Sequence, residues 1–349
     1  MSFGKIDFQY KIKNKSKIRN FFKSNNIKYL HEILPLKKIY DYTLPNIYIK
    51  SFERINKILK NNIFFIIDYY NFSGSFKDRA SLIACLDAKE KNFKEISVAS
   101  SGNAAISTAI FCNMFGLSCS VFIPSFASSE KKKYLKNLGC KIFEYQLPYS
   151  EVVKKCLNYS KKNRTYNRCT GINPVTRDGK KLFSYELLAK FKKKIDYLVV
   201  PVGDGNILSG CSKGFVELKK FKLISNCPKI IGVQSKSSSS FFDQFKNSNE
   251  TPKKKIARSV CDSINVDFPL DGHYAFKYLK HLGGFMMTSN DKEILRSKKI
   301  LLQKYGINCC SSSAATFSAA KKLIQEKKFV NKNILLLLTG SGFKDLNNS

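Results

Sequence analysis

The chain has 349 residues, 43% of them hydrophobic, with 61 Lys and Arg against 26 Asp and Glu. That length suits two domains or one large α/β domain, and that apolar content excludes a disordered protein. The formal net charge of +35 would suit a polyanion partner, yet only eight of the basic residues are Arg, no nucleic-acid-binding motif is present, and the lysines are spread along the chain with Asn and Ile. We read the charge as composition carried on solvated faces, with weak, salt-sensitive adsorption to polyanions as its side effect and no specific nucleic-acid partner.

Residues 1–30 read as a basic arm with Phe8, Tyr10, Ile12 and Ile18 interspersed; they lack the apolar core and cleavage site of a secretion signal. Residues 31–60 read as irregular structure leading to a strand near Tyr48. Ile63–Ile67 is short, apolar and rich in branched and aromatic residues, which predicts a buried strand. Asn71 to Arg79 then reads N-F-S-G-S-F-K-D-R, and a helix follows with Ser81, Ala84, Cys85 and Ala88 at helical spacing. Lys77 thus starts a helix that follows a strand. In an apolar setting at a helix N-terminus the cationic lysine is disfavoured, and neutral lysine attacks aldehydes. Taken alone, the stretch also reads as one lysine among many.

From Ser97 a short strand runs into Ser100-Ser101-Gly102-Asn103 and a helix of small residues that ends near Gly116. Small residues and unbonded N–H groups let a ligand approach such a turn, although an ordinary capped turn has the same composition. A strand at 119–124, a helix near Ser129–Leu138, a strand at Cys140–Tyr145 and a helix at 151–163 continue the alternation, which predicts a parallel sheet covered by helices. Tyr166 to Lys181 is polar and turn-rich and reads as a long loop before the next helix.

Tyr197–Val202 predicts a strand that ends in Gly203-Asp204-Gly205-Asn206, with a helix from about Ile207. A glycine-rich loop between strand and helix cradles a phosphate: backbone N–H groups converge, no side chain intrudes, and the helix dipole favours the anion. Neither G-K-[ST] nor G-x-G-x-x-G spacing is present, which disfavours nucleotide-binding loops. Further on come a strand at Lys229–Gln234, a Ser- and Lys-rich mobile run at 235–256, an irregular loop at 259–271 and a helix at 272–281. Ser289 or Asn290 caps another helix, I-N-C-C-S-S-S opens the last long one, and the strand Ile334–Leu338 ends in T-G-S-G-F-K-D at 339–345. Eleven cysteines without C-x-x-C spacing and three histidines read as buried, reduced thiols in a cytoplasmic protein with no metal site. No apolar run approaches the roughly 18 residues of a membrane span.

Four predicted strand ends carry polar turns: 71–79, 100–103, 203–206 and 339–342. In an open parallel sheet such ends gather along one crevice, where ligands bind. A lysine, a phosphate-sized loop, Asn103 and Thr339 together fit pyridoxal 5'-phosphate, offering partners for its aldehyde, phosphate, phenolic oxygen and ring nitrogen.

On these motifs the chain resembles fold-type II pyridoxal-phosphate enzymes of the tryptophan synthase beta superfamily, most closely the threonine synthase group. The resemblance runs from Asn71 to Asp345. N-F-S-G-S-F-K-D-R looks like the family's lysine motif, S-S-G-N-A-A like its Ser-Ser-Gly-Asn turn, P-V-G-D-G-N-I-L-S-G like its phosphate loop and T-G-S-G-F-K-D like its C-terminal motif. It implies two open, mostly parallel αβα domains with the cofactor in the cleft between them. The boundaries it implies are an arm at 1–40, a large cofactor-binding domain at 41–86 and 171–349, and a smaller mobile domain at 87–170.

It further implies Lys77 as Schiff-base lysine and base, Asn103, Gly203, Asp204, Gly205, Asn206 and Thr339 around the cofactor, Ser100, Ser101, Gly102, Asn173 and Arg177 around an amino-acid substrate, and a homodimer. Departures are Phe72 for the family's Pro, Ser73 for its Thr, Cys310-Ser311 for a Glu-Pro pair, and Arg177 one place beyond the arginine that follows Asn-Pro. A neutral Thr339 beside the ring nitrogen favours elimination and replacement over transamination. The implied activity is a lyase that converts O-phosphohomoserine and water to threonine and phosphate. The alternatives are β-replacement or deamination of another hydroxy or phosphohydroxy amino acid, and a non-catalytic paralogue.

Overall fold

The computed structural model of the chain describes residues 6–125, 127–248, 251–325 and 329–343. Its strands are β1 (Tyr48–Lys50), β2 (Asn62–Ile67), β3 (Glu95–Ala99), β4 (Ser118–Pro124), β5 (Lys141–Tyr145), β6 (Tyr166–Asn167), β7 (Tyr197–Pro201), β8 (Lys229–Ser235), β9 (Phe285–Ser289) and β10 (Asn333–Leu338). Its helices are α1 (Lys15–Ser24), α2 (Glu53–Leu59), α3 (Asp78–Glu90), α4 (Asn103–Phe115), α5 (Ser129–Asn137), α6 (Tyr149–Asn163), α7 (Val175–Lys190), α8 (Asn206–Lys220), α9 (Ser240–Lys246), α10 (Gly272–His281), α11 (Asp291–Tyr305) and α12 (Ser311–Leu323). The fold is α/β, and it divides into two compact units: Met1–Pro45 with Asn71–Leu182, and Asn46–Tyr70 with Phe183–Ser349.

The first unit holds a four-stranded, all-parallel sheet in the order β5-β4-β3-β6. Helices α4 and α6 pack on β3 and β4, and α3 packs on α4. Its basic N-terminal segment is built structure rather than a bare arm. Asn14 caps α1 by accepting from the Ser16 N–H at 2.8 Å, and Ile18, Phe21, Ile27, Leu30 and Ile33 are buried.

The second unit holds a six-stranded sheet in the order β1-β2-β10-β7-β8-β9, parallel except for the edge strand β1. Alternate residues of its strands, among them Ile63, Phe65, Val199, Ile231, Leu336 and Leu338, join one core with Ile294, Leu301, Ala315 and Phe317 of α11 and α12. The intervening residues Ile66, Leu198, Val200, Leu335 and Leu337 are equally buried. With both faces covered, the strands read as unbroken apolar runs.

The structure corrects two expectations. The loop predicted through Lys181 ends at Pro174, because α7 begins at Val175. Its first turns are polar yet fully buried: Thr176, Asp178, Lys180 and Lys181 are all 0% exposed. The Ser-rich run expected to be mobile carries α9, and Ser235, Ser238, Ser239 and Ser240 are buried. The unit boundaries also differ from those implied by resemblance, with residues 71–86 and 171–182 in the first unit. Within the first unit, a Cβ on Gly179 would lie 2.6 Å from the Arg79 carbonyl oxygen, so its bare backbone lets α7 lie directly on the start of α3.

Candidate active site

In the first unit the backbone at Lys77 is already helical, and Lys77 caps α3, its carbonyl accepting the Ser81 N–H at 3.1 Å. The preceding turn is held from within. Asn71 accepts the Ser75 N–H at 2.9 Å, and the Asp78 carboxylate accepts the Ser73 N–H at 2.9 Å as well as the Ser73 hydroxyl. Asp78 is buried, at 4% exposure. A buried carboxylate one residue beyond Lys77 thus fixes the turn that presents the lysine, a role the sequence reading did not assign. Burial, with the Asp78 charge nearby, pushes the Tyr42 phenol up to about 12.

Ser100, Ser101 and Gly102 connect β3 to α4, with Gly102 as the cap and Asn103 as the first helical residue. The Ser100 hydroxyl accepts the Gly102 N–H at 3.3 Å. Asn173, expected near substrate, accepts the Val175 N–H at 2.9 Å and donates to the Asn167 carbonyl at 2.9 Å, so its side chain stabilises the entry to α7. Arg177 is 1% exposed. It donates to the Ile6 carbonyl at 3.1 Å and meets the Asp7 carboxylate at 3.3 Å.

In the second unit, β7 and β10 run parallel in adjacent register, so the turns after them lie side by side. Gly203 to Gly205 lead into α8, with Asn206 as its first residue. Gly205 has φ +86°, and a Cβ there would lie 2.8 Å from the Ala275 Cβ; a Cβ on Gly203 would lie 2.9 Å from the Ile264 Cα. Packing therefore requires glycine at both positions. The Asn206 side chain donates to the Asp271 carboxylate at 2.9 Å, and the Ser209 hydroxyl bonds the same carboxylate. Asn206 thus offers a ligand its backbone rather than its amide group. Asp271, which the sequence reading missed, ties the loop down from 65 residues away.

Thr339 follows β10 and is 7% exposed. Ser313 of α12 holds its turn: the Ser313 hydroxyl accepts the N–H groups of Thr339 at 2.9 Å and Gly340 at 3.2 Å, and lies 3.5 Å from the Thr339 hydroxyl. Cys310, standing where the resemblance places an acid, caps α12, and its N–H donates to the Gly340 carbonyl at 2.9 Å. Lys344 and Asp345 of the C-terminal motif lie outside the described residues.

These residues fit pyridoxal phosphate. In the second unit a loop with glycine at 203 and 205 precedes a 15-residue helix, whose positive end suits a phosphate, and a neutral hydroxyl stands after β10 for a ring nitrogen; in the first unit a lysine caps a helix. The chain matches the family described as "Pyridoxal-phosphate dependent enzyme" over residues 47–340 and belongs to it, with pyridoxal phosphate as its cofactor. It is 27% identical to a threonine synthase of Methanocaldococcus jannaschii over 284 residues, 79% of this chain and 69% of that protein. Among solved structures it resembles threonine deaminase isoform 2 of Solanum lycopersicum, with TM-score 0.74 at 17% identity over 98% of this chain and 89% of that one. It also resembles maize serine racemase, with TM-score 0.72 at 18% identity over 85% and 88%. Those likenesses carry the fold of fold-type II enzymes.

Proposed function

We propose that the protein is a lyase of the threonine synthase type, releasing phosphate from O-phosphohomoserine and adding water to give threonine. The observation that carries this reading is the neutral Thr339–Ser313 pair at the end of β10, joined to the likeness to threonine synthases. Bound pyridoxal phosphate supplies an electron sink for the bond pair released at the substrate's α-carbon. A hydroxyl does not hold the ring nitrogen protonated as a carboxylate would, so the sink is moderate and suits elimination. Lys77 would hold the cofactor through its amine and would move protons at the substrate carbons. Backbone N–H groups of Gly203 to Asn206 bind the cofactor phosphate, and Asn103 orients its phenolic oxygen. Ser100, Ser101 and Gly102 bind the substrate carboxylate.

The test supplies O-phosphohomoserine to the purified protein and measures inorganic phosphate and threonine together, beside Lys77→Ala. Equal release of both, absent in the variant, supports the reading. Protein that takes up pyridoxal phosphate but releases neither product overturns it.

One observation favours a second reading. Arg177, the arginine nearest to Asn173-Pro174, already meets Asp7. A substrate without phosphate, such as serine or threonine undergoing deamination, needs no such arginine, and ammonia release would identify it.

A further inference from the structure

None of the eleven cysteines forms a disulfide, and all but Cys227 are buried. In the first unit they form two different settings. Cys112, Cys119 and Cys140 are all pushed up: the Cys119 hydrogen bond lowers Cys112 but Cys85 and burial outweigh it, the Cys112 bond with burial raises Cys119 against Cys140, and the Cys119 bond with burial raises Cys140. Cys156 of α6 and Cys169, two residues after β6, are set differently. Their sulfurs lie 3.5 Å apart, and both residues are 0% exposed.

The surroundings of this pair are polar. The Ala99 N–H donates to the Cys169 sulfur at 3.2 Å, and the Asn167 amide lies 3.6 Å from the Cys156 sulfur. Ser160, one turn along α6, takes a 3.0 Å hydrogen bond from the same amide and lies 2.6 Å from the Ser97 hydroxyl. The hydrogen bond with Cys156, then the Ala99 N–H, Asn167 and the Arg168 charge, hold the Cys169 thiol below its ordinary range against the effect of burial. Burial and the neighbouring Cys169 push Cys156 the other way. The Cys169 thiol donates across this contact to the Cys156 sulfur, and of the two it is the more readily deprotonated; with both residues 0% exposed, a small oxidant reaches them through local opening of the fold.

We propose that Cys156 and Cys169 are a redox modification site, at which a peroxide closes a reversible disulfide tying α6 to the loop that carries Asn173. The Cys169 thiolate attacks one peroxide oxygen, the O–O bond breaks, hydroxide leaves and a sulfenic acid forms. The Cys156 sulfur then attacks the Cys169 sulfur, the S–O bond breaks, and the oxygen leaves as water. Two thiols and one hydrogen peroxide give one disulfide and two waters. Bond formation needs the sulfurs to close from 3.5 Å to about 2 Å. The link reaches segments expected at the substrate. Ala99 immediately precedes Ser100, and the Cys169 carbonyl accepts the N–H groups of Ile172 at 3.2 Å and Asn173 at 3.1 Å.

The experiment titrates the native full-length chain with hydrogen peroxide, alkylates the remaining thiols and maps peptides by mass spectrometry. A Cys156–Cys169 peptide should be the first disulfide seen, with two of the eleven thiols lost and regained on reduction by dithiothreitol. Cys156→Ser should abolish the link and leave Cys169 as a sulfenic acid that dimedone traps; Cys156→Ala serves if the serine variant does not fold. Cys227→Ser should leave the link intact. A chain whose circular dichroism stays native but which forms no such link overturns the proposal, as does a linked peptide from Cys112, Cys119 or Cys140 appearing first.

Discussion

Helices α7 and α8 both begin after a polar turn, and their starts are filled in opposite ways. The start of α8 is side-chain-poor, with Gly203 and Gly205 pressed against Ile264 and Ala275. The start of α7 is crowded with buried charge. Arg177 meets Asp7, Lys181 lies 2.9 Å from Asp178, and the Lys181 ammonium sits 3.7 Å above the Tyr10 ring. Cations at a helix N-terminus oppose the macrodipole, so α7 depends on partners brought from about 170 residues away. One helix start is packed with bare glycine backbone, and the other fills itself with charged side chains.

Five variants would break or sharpen this contrast. The largest concerns chemistry. Lys77→Ala should lower turnover by about 10²–10⁴-fold and remove the visible band that the cofactor gives when joined to the lysine, measured by stopped assay and absorption spectrum. Next, Asp7→Asn should cost about 3 kcal/mol, because it leaves the Arg177 charge buried beside a weaker partner; a denaturant titration reads it. If Arg177 also serves substrate, Arg177→Met combined with Asp7→Asn should raise KM for O-phosphohomoserine, whereas an unchanged KM would make α7's start purely structural.

Gly205→Ala should cost about 1–3 kcal/mol through its clash with Ala275 and its left-handed backbone. It should also weaken pyridoxal phosphate uptake, measured by equilibrium dialysis. The smallest effect lies at α11. Burial works to raise the Glu293 carboxyl, but hydrogen bonds from Lys322 and the Asn290 N–H outweigh it and hold the group low. A lowered folded value means the contribution is present above the ordinary carboxylate range and fades as pH falls through that lowered value. Glu293→Gln should therefore cost only about 0.5 kcal/mol near neutrality, since the pair is partly exposed. It should also flatten the loss of stability below about pH 4, followed by thermal melts.

The legible parts of the molecule were those governed by local rules. Unbroken apolar runs gave β2, β7 and β10. The glycines of 203–206 gave a loop before α8, and Asn290 with Glu293 forms a capping box at α11. The place of Lys77 at the start of α3 was legible because strand, turn and helix surround it within a few residues. The start of α7 was not, since five polar residues around Gly179 read as solvent-facing until Asp7 and Tyr10 arrive from the other end of the chain. Asp271 and Ser313 were hidden for a similar reason: each is one more polar residue until the loop it secures is brought beside it. The Ser-rich run at 235–240 misled because serines held by Asp291, Val266 and Lys255, as Ser235, Ser238 and Ser239 are, have the same letters as serine in a mobile linker.

The pairing of β2 with β10 bears on synthesis. Residues 62–67 lie beside residues 333–338 in the six-stranded sheet, one strand in from its β1 edge. During translation β2 emerges early and waits for almost the whole remaining chain before its partner exists. Until then N-I-F-F-I-I has an unpaired parallel edge and two uncovered apolar faces, a template for wrong pairing. Such long-range closure slows folding. The nascent chain should thus depend on chaperones throughout elongation, and release from the ribosome before residue 333 should yield aggregate rather than a shorter folded product.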